Sequence, residues 1–219
     1  QFEKDYKNGY YDMHFKDQVR PGYNMDLNEN FPAIRVSWEK AMAFCKWLSE
    51  KTGRKVTLPT EAQWEWAARA GSDKDLFFGD TKAYFAAFAN LADKTMIELA
   101  VMGVDPKPIK NPIHYKNYEL KVTHVDDGVL HLADVNSYKP NPFGLKNIIG
   151  NVAEWTRSEY RPYPYADNDG RNKTDATGRY RTVRGGSWHD RPRRATSSWR
   201  WRYPQWQRVY NVGFRIVIQ

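Results

Sequence analysis

Apolar residues recur at helical spacing in the stretch that begins at Ser37 and ends at Gly53. The apolar positions are Ala41, Phe44, Cys45 and Leu48. Serine caps helix N-termini and glycine ends helices, so the pattern predicts a helix between these two residues. Cys45 lies on the apolar face, which favours a buried core thiol over a reactive one.

A short strand and a second helix are predicted directly after this helix. Residues 56–58 form the strand, and Thr60 caps a helix that ends near Gly71. After residue 150 the pattern changes to short strand segments separated by turns. These segments are residues 181–184, 195–201 and 212–218.

Residues 72–142 contain few regular signals and are predicted to form a long loop region. Prolines at positions 106, 108, 112, 140 and 142 interrupt any helix or strand there. A compact domain tolerates so much irregular chain only when it is pinned or functional. A bound cation is therefore expected in this region.

The composition is that of a folded chain. Of 219 residues, 41% are hydrophobic, and the 9 Trp, 14 Tyr and 10 Phe are too many for a disordered protein. No apolar run approaches the ~20 residues that span a bilayer, so no membrane span is predicted. The single cysteine, Cys45, excludes an intrachain disulfide and a multi-cysteine metal site within these residues.

Positive charge is concentrated near the C-terminus. The formal net charge is +8, and the stretch from Arg179 to Arg215 holds ten arginines with Asp190 as its one acid. Such a stretch is typical of proteins with an anionic partner. Nucleic acid is the less favoured partner because the sequence contains no recognised nucleic-acid motif.

Glycines stand beside polar and aromatic residues in three blocks, residues 144–155, 184–188 and 211–215. Glycine permits close backbone approach, and directed chemistry in loops indicates function. Three earlier blocks, residues 34–38, 58–71 and 88–93, precede them.

In this order the six blocks resemble the formylglycine-generating enzyme or sulfatase-modifying factor family, over residues 32–219. The resemblance implies an α+β fold, the sulfatase-modifying-factor variant of the C-type lectin fold, with small mixed sheets, two helices and many ordered loops.

Residues 1–31 are interpreted as an irregular N-terminal segment before that domain. Family members usually begin with a strand that pairs with the C-terminal strand, and no such strand is predicted in residues 1–31. Residues 212–218 would then present an unpaired apolar edge, which folded proteins avoid. We therefore expect a fragment, a processed product, or one half of a complex whose second polypeptide completes the sheet.

The chain departs from the copper-dependent enzymes of the family at two positions. Those enzymes carry two cysteines just after the Gly-Gly-Ser-aromatic block, where they bind copper and do the oxidation. Aligned without gaps, these positions are Asp190 and Ala195 in this chain. Cu(I) prefers thiolate ligands, so neither copper nor formylglycine formation by that chemistry is expected.

The resemblance also implies structural calcium. The matching positions are Asn90, Leu91, Asp127 and Val129 in one set, and Asn151, Val152 and Glu154 in the other. Carboxylate, amide and backbone oxygens suit a hard cation, and calcium favours an extracytoplasmic location. The alternative is that the two asparagines cap turns and Glu154 pairs with an arginine.

Two catalytic alternatives are less favoured. Relatives that make sulfoxides use three histidines on iron, and His114, His124 and His131 are the candidates for such a site. Ser187 with His189 and Asp190 invites interpretation as a nucleophile and its base, but the serine belongs to the family's structural block.

In this family, the surface that corresponds to the C-terminal aromatics and arginines receives an extended peptide. The candidate ligand-binding residues are Trp188, Asp190, Arg191, Arg194, Trp206 and Tyr210. Trp206 and Tyr210 are expected to be exposed. Alternation along residues 199–202 places two tryptophans on one strand face and two arginines on the other.

These observations favour a calcium-stabilised module of this family that binds a peptide or an anionic ligand without copper oxidase activity. The alternative is an oxidoreductase of the formylglycine-generating or iron-dependent type, acting with residues from a missing segment or a partner.

Overall fold

The computed structural model describes residues 29–95, 99–102, 105–108, 122–175 and 178–219. Its helices are α1 (Trp38–Thr52) and α2 (Glu61–Arg69), with a 3₁₀ turn at Pro192–Arg194. Its strands are β1 (Val56–Thr57), β2 (Leu99–Met102), β3 (Asp105–Pro108), β4 (Ala153–Glu159), β5 (Tyr180–Arg184), β6 (Trp201–Pro204), β7 (Val212–Phe214) and β8 (Val217–Ile218). Neither helix is long and apolar enough to cross a bilayer.

The first predicted helix is confirmed at both ends. The Ser37 hydroxyl accepts a hydrogen bond from the Lys40 N–H at 3.3 Å, which satisfies one of the free donors of the first turn. Gly53 ends the helix with φ at 68°, and its N–H donates to the Ser49 carbonyl. A left-handed residue at this position is why glycine is favoured there.

The second predicted helix is also confirmed, and a capping box stabilises its N-terminus. The Thr60 hydroxyl accepts from the Gln63 N–H, and the Gln63 side chain accepts from the Thr60 N–H at 2.8 Å. This reciprocal pair fixes the chain where it turns from β1 into α2.

A four-stranded mixed sheet, in the order β6, β5, β4, β7, forms the centre of the described structure. β4 pairs antiparallel with β5 and parallel with β7, and β5 pairs antiparallel with β6. β1 pairs with β8 in a separate two-stranded sheet, and β2 pairs with β3 in another.

The predicted strand over residues 195–201 is wrong for most of its length. The chain there follows the 3₁₀ turn with bends and a turn, and β6 begins only at Trp201. The Ser197 N–H donates to the Asp75 carbonyl, and the Ser197 carbonyl accepts from Arg184. A side chain and a loop thus take the hydrogen bonds that a neighbouring strand would have used.

Residues 212–218, predicted to present an unpaired apolar edge, do lie at a sheet edge, since β7 is the last strand of the four-stranded sheet and pairs with one strand among the described residues. This stretch forms β7 and β8, which pair with β4 and β1. On β7, a side chain at Gly213 would place its Cβ 2.4 Å from the Ala33 carbonyl oxygen, so residue 33 lies directly against it. The expectation about a strand in residues 1–31 falls mainly on residues 1–28, which lie outside the described residues.

The core consists of two clusters of buried side chains. One lies between α1 and the four-stranded sheet and includes Trp38, Trp155 and Val183, and the other includes Trp64 of α2. Cys45 belongs to the first cluster, where burial raises the pKa of its thiol to about 11. The predicted core position of Cys45 is confirmed.

Buried charges connect α2 to the sheet and to the segment before β6. Glu61 and Arg184 are both buried and form an ion pair at 3.0 Å. Arg200 donates two hydrogen bonds to the same carboxylate, and Arg184 also pairs with Glu65. Buried charges are costly unless they are paired, so Glu61 holds two guanidinium groups in the interior.

Replacing Glu61 with glutamine keeps the shape of the side chain but removes the carboxylate that Arg184 and Arg200 share, which leaves Arg184 with Glu65 alone. We expect the free energy of unfolding to fall by about 3–5 kcal/mol, as when one partner of a buried ion pair is removed. Urea unfolding measures the difference. The matched control is Glu50→Gln, because Glu50 pairs with Lys46 on the exposed surface at 3.9 Å and should contribute at most about 0.5 kcal/mol. Equal losses would contradict this role of Glu61.

Candidate functional site

Asn151 joins three loops at the centre of the candidate site. Its N–H donates to the Asn90 carbonyl at 2.8 Å, and its own carbonyl accepts from the Trp188 N–H at 3.0 Å. Its side-chain amide accepts from the Ala133 N–H and donates to the Ala133 carbonyl, at 2.9 and 3.0 Å. Because a buried amide must satisfy its hydrogen bonds, these contacts fix the loops relative to one another.

Gly150 permits this close approach. A Cβ there would lie 2.3 Å from the Asn90 carbonyl oxygen, and its φ of 77° is in the left-handed region. Asn151 continues this conformation with φ at 60°. Glycine and asparagine in succession are thus a backbone requirement.

The first predicted calcium set lies around this junction. Asn90 is fully buried, and its Nδ2 donates to the His131 carbonyl at 2.5 Å. Its Oδ1 is buried without a hydrogen-bond partner among the described residues. The Asp127 carboxylate accepts from the Val129 N–H at 2.8 Å and from the Tyr138 hydroxyl at 3.0 Å.

A second carboxylate, that of Asp93, lies near Asp127 and was not among the predicted calcium ligands. It is fully buried, and one of its oxygens accepts from the Asp127 N–H at 2.6 Å. Its other oxygen accepts from the N–H and the hydroxyl of Thr95, at 2.8 and 2.6 Å. Asp93 follows Asn90 by three residues within one of the recognised blocks, which was the available signal.

Burial is the main reason why the pKa of Asp127 rises to about 7, and the negative charge of Asp93 raises it further. The two carboxylates converge in a partly dehydrated region, and the Oδ1 of Asn90 is a further buried oxygen without a partner among the described residues. The chemistry of this set fits a hard divalent cation.

The second predicted calcium set is already used by protein donors. The Glu154 carboxylate pairs with Arg215 through two contacts, at 2.6 and 2.7 Å, and accepts from the Trp64 indole N–H at 2.7 Å. Val152 is a buried member of the first core cluster. Glu154 thus pairs with an arginine, which is the alternative given in the sequence analysis. With its carboxylate engaged in this way, the second predicted set does not fit a cation.

Asp190 and Ala195, the positions that align with the copper cysteines, are both buried. The Asp190 carboxylate accepts from the Ser187 N–H and hydroxyl, at 3.0 and 2.7 Å, and burial raises its pKa. Ala195 lies so close to Gly186 that a Cβ there would be 2.7 Å from the Ala195 Cβ. Both residues fill structural positions.

The six candidate ligand-binding residues do not form one surface. Trp188 and Tyr210 are only 1% and 2% exposed, because their rings pack together with His131 and His189. The expected exposure of Tyr210 is therefore wrong, whereas that of Trp206, at 65%, is confirmed. Arg191 and Arg194 are half-buried and Asp190 is buried.

The catalytic alternatives gain no support from the geometry. The Ser187 hydroxyl is fully buried and donates to Asp190, so an incoming substrate cannot reach it. Among the iron candidates, His124 is exposed, His131 is largely buried and His114 lies outside the described residues. No group of three or more His, Cys, Asp or Glu able to hold a metal forms in the described part of the chain.

Comparison with known families identifies the class of protein. The family model of the Sulfatase-modifying factor enzyme 1-like domain matches residues 3–219. The chain belongs to this family, as the six sequence blocks predicted. The match also takes in residues 3–31, which those blocks do not cover.

The family's formylglycine-generating enzymes are among the relatives. The enzyme of Bos taurus is 31% identical over 161 residues, 72% of this chain and 35% of the relative. That of Streptomyces coelicolor is 33% identical over 165 residues, 74% and 44%. "Inactive C-alpha-formylglycine-generating enzyme 2" of Bos taurus is 31% identical over 171 residues, 78% and 42%. The chain thus spans less than half the length of these relatives.

Solved structures confirm the predicted fold. PvdO from Pseudomonas aeruginosa has a TM-score of 0.65 at 24% identity, covering 91% of this chain and 66% of that one. Treponema denticola variable protein 1 has a TM-score of 0.62 at 22% identity, covering 85% and 70%. The fold is α+β, the sulfatase-modifying-factor variant of the C-type lectin fold.

The raised pKa of Asp127 predicts a pH-dependent difference in stability. Its value of about 7 in the folded chain exceeds the ordinary 3.8, so its contribution to stability is complete below about pH 4 and is lost as the pH rises to about 7. Asp127→Asn removes this titration, and the variant should gain stability relative to the wild type across that range.

Urea unfolding in calcium-free buffer at several pH values measures this difference. Burial lowers the pKa of His131 to about 4, which gives the opposite pH dependence, but this group titrates in both proteins and largely cancels. A difference that stays constant with pH would contradict the raised pKa of Asp127.

Proposed function

We propose that this chain is a ligand-binding domain of the formylglycine-generating enzyme family that does not carry out copper-dependent oxidation. The observation that carries the proposal is the state of the two positions aligned with the copper cysteines. Asp190 is held by Ser187, and Ala195 is packed against Gly186.

The ligand chemistry of copper supports this proposal. Cu(I) is a soft ion that prefers thiolates, whereas alanine has no donor atom and the Asp190 oxygen is hard and engaged. The one thiol in the sequence, Cys45, is buried in α1 with a raised pKa. One of the relatives described above carries the word "inactive" in its name, so absence of the activity has a precedent among similar proteins.

The proposal predicts no oxidation of a cysteine-containing sulfatase peptide. The purified chain is loaded with Cu(I) and incubated with the peptide in air, while oxygen uptake and the mass of the peptide are followed. We expect no turnover above the protein-free reaction. The formylglycine-generating enzyme of Streptomyces coelicolor serves as the positive control. Stoichiometric copper together with formylglycine in the peptide would overturn the proposal.

We further propose that calcium stabilises the loop region through Asn90, Leu91, Asp127 and Val129. The unpartnered Asn90 Oδ1 and the paired carboxylates of Asp93 and Asp127 support this assignment. A divalent cation would offset the repulsion between these carboxylates and would stabilise the native arrangement. A calcium requirement of this kind favours an extracytoplasmic location.

Calcium should therefore raise the thermal midpoint, because a ligand that binds only the native state stabilises it. Calcium at 100 times its dissociation constant should contribute about 2.7 kcal/mol. Differential scanning fluorimetry with calcium or EGTA measures the shift. Asp127→Asn should abolish it, whereas Asp73→Asn, at an exposed position, should keep it. A wild-type midpoint that is the same in calcium and EGTA would remove the calcium assignment.

The basic C-terminal third is the proposed ligand-binding region. Of the candidate residues, Arg191, Arg194 and Trp206 remain at least partly exposed, and the region carries nearly all of its charge as arginine. Exposed tryptophan and arginine are frequent binding anchors. A peptide or another anionic ligand fits this chemistry.

A further inference from the structure

Five side chains form a ladder of alternating tyrosines and arginines beside β6. Arg200 lies over the rings of Tyr160 and Tyr163, with its guanidinium carbon 4.4 and 4.5 Å from the ring centroids. Arg202 lies over Tyr160 and Tyr180, at 5.0 and 5.2 Å. The order is Tyr163, Arg200, Tyr160, Arg202, Tyr180, and we call this set the tyrosine–arginine ladder.

The sheet positions the ladder. Tyr180 is the first residue of β5, and its carbonyl accepts from the Tyr160 N–H at 2.8 Å, which brings these two residues together. Arg202 lies opposite Thr182 in the pairing of β5 with β6. Trp201, the next residue along β6, packs instead against the core. The predicted separation of tryptophans and arginines on opposite faces is thus confirmed here.

The two arginines of the ladder differ in charge compensation. Arg200 is largely buried and pairs with Glu61. Arg202 is exposed, and no acidic side chain pairs with it among the described residues. Arg200 therefore joins the ladder to Glu61 of α2. Arg202 is exposed to the solvent and has no counter-charge among the described residues.

Stacking prepares Arg202 to bind an anion. Its guanidinium lies against two phenol rings, which shield its faces from water and limit its motion. The N–H groups along its edge stay available, and their planar geometry suits a carboxylate. The flanking Tyr163 and Tyr180 are 56% and 51% exposed and can contact an aromatic group beside that carboxylate.

The surroundings favour a short acidic peptide over a polyanion. Glu159, which precedes Tyr160, pairs with Arg161 at 2.8 Å and with Arg179 at 3.3 Å. Glu159 thus offsets part of the positive charge next to the ladder, and its carboxylate would repel a continuous line of phosphates. Nucleic acids gain affinity from many phosphate contacts, which this surface does not offer.

We propose that the tyrosine–arginine ladder is the docking surface for a peptide segment that carries a carboxylate side chain next to an aromatic one. This inference rests on the proposed ligand-binding function and gives it a location and a ligand class. The carboxylate binds the edge of Arg202, and the aromatic side chain packs against the exposed tyrosines.

The test uses a short fluorescein-labelled peptide of alternating glutamate and tyrosine as the probe and fluorescence anisotropy as the measurement. Arg202→Gln should weaken binding about tenfold, as expected for the loss of hydrogen bonds to a charged group. Tyr180→Ala should also weaken binding. Thermal midpoints of the variants establish that each is folded, and both substituted residues are exposed.

Matched controls separate this surface from general charge effects. Arg54→Gln removes the same charge and Tyr84→Ala the same ring, each at an exposed position outside the ladder. Both variants should bind the probe within about twofold of the wild type, because surface substitutions away from the ladder have small effects. The binding of single-stranded DNA and of polyglucuronate is compared with that of the probe, at equal concentration of negative charge.

Three results would overturn the proposal. These are no binding of the Glu-Tyr peptide by the wild type, equal weakening by Arg202→Gln and Arg54→Gln, and tighter binding of DNA or polyglucuronate than of the peptide. The copper experiment keeps the two proposals distinct. Formylglycine production would contradict the proposed function, whatever the ladder binds. A failed binding test at the ladder would contradict only this location of the ligand site.

Discussion

The buried amide of Asn151 is the contact on which the geometry of the site depends. Its backbone and side chain together bind the segments at Asn90, Ala133 and Trp188, and Gly150 supplies the close approach that this needs. An unsatisfied buried amide costs about 1–3 kcal/mol per group, so all of these hydrogen bonds must form together. Long loops with little secondary structure thereby acquire fixed positions relative to one another.

In this arrangement the positions that align with the family's copper cysteines have a structural task. The Ser187 hydroxyl accepts from the Asn211 side chain and donates to Asp190, and the Asp190 carbonyl in turn accepts from the Ala92 N–H. Asp190 therefore ties the glycine block to the loop that carries Asn90. Arg202 lies elsewhere, exposed on β6, and has no counter-charge among the described residues.

The sequence predicted features that depend on local chemistry and missed those that depend on packing. The caps at Ser37, Gly53 and Thr60 are local, and each is confirmed. Tyr210 was expected to be exposed because aromatic residues near arginines often bind ligands, but long-range packing with Trp188 buries it. Likewise, the strand predicted over residues 195–201 fails because Arg184 captures a carbonyl there. Asp93 could have been found, since three residues separate it from Asn90, but its convergence with Asp127 is visible only after folding.

The most direct test of the central claim is anomalous diffraction from crystals of the chain equilibrated with Cu(I) and calcium together. Data recorded at the copper edge, and at a long wavelength where calcium scatters, locate each ion separately. We expect a calcium peak beside Asn90 Oδ1 and Asp127, and no copper peak near residues 190 and 195. An ordered copper ion beside Asp190 would contradict the view that this domain binds ligands without the family's oxidase centre.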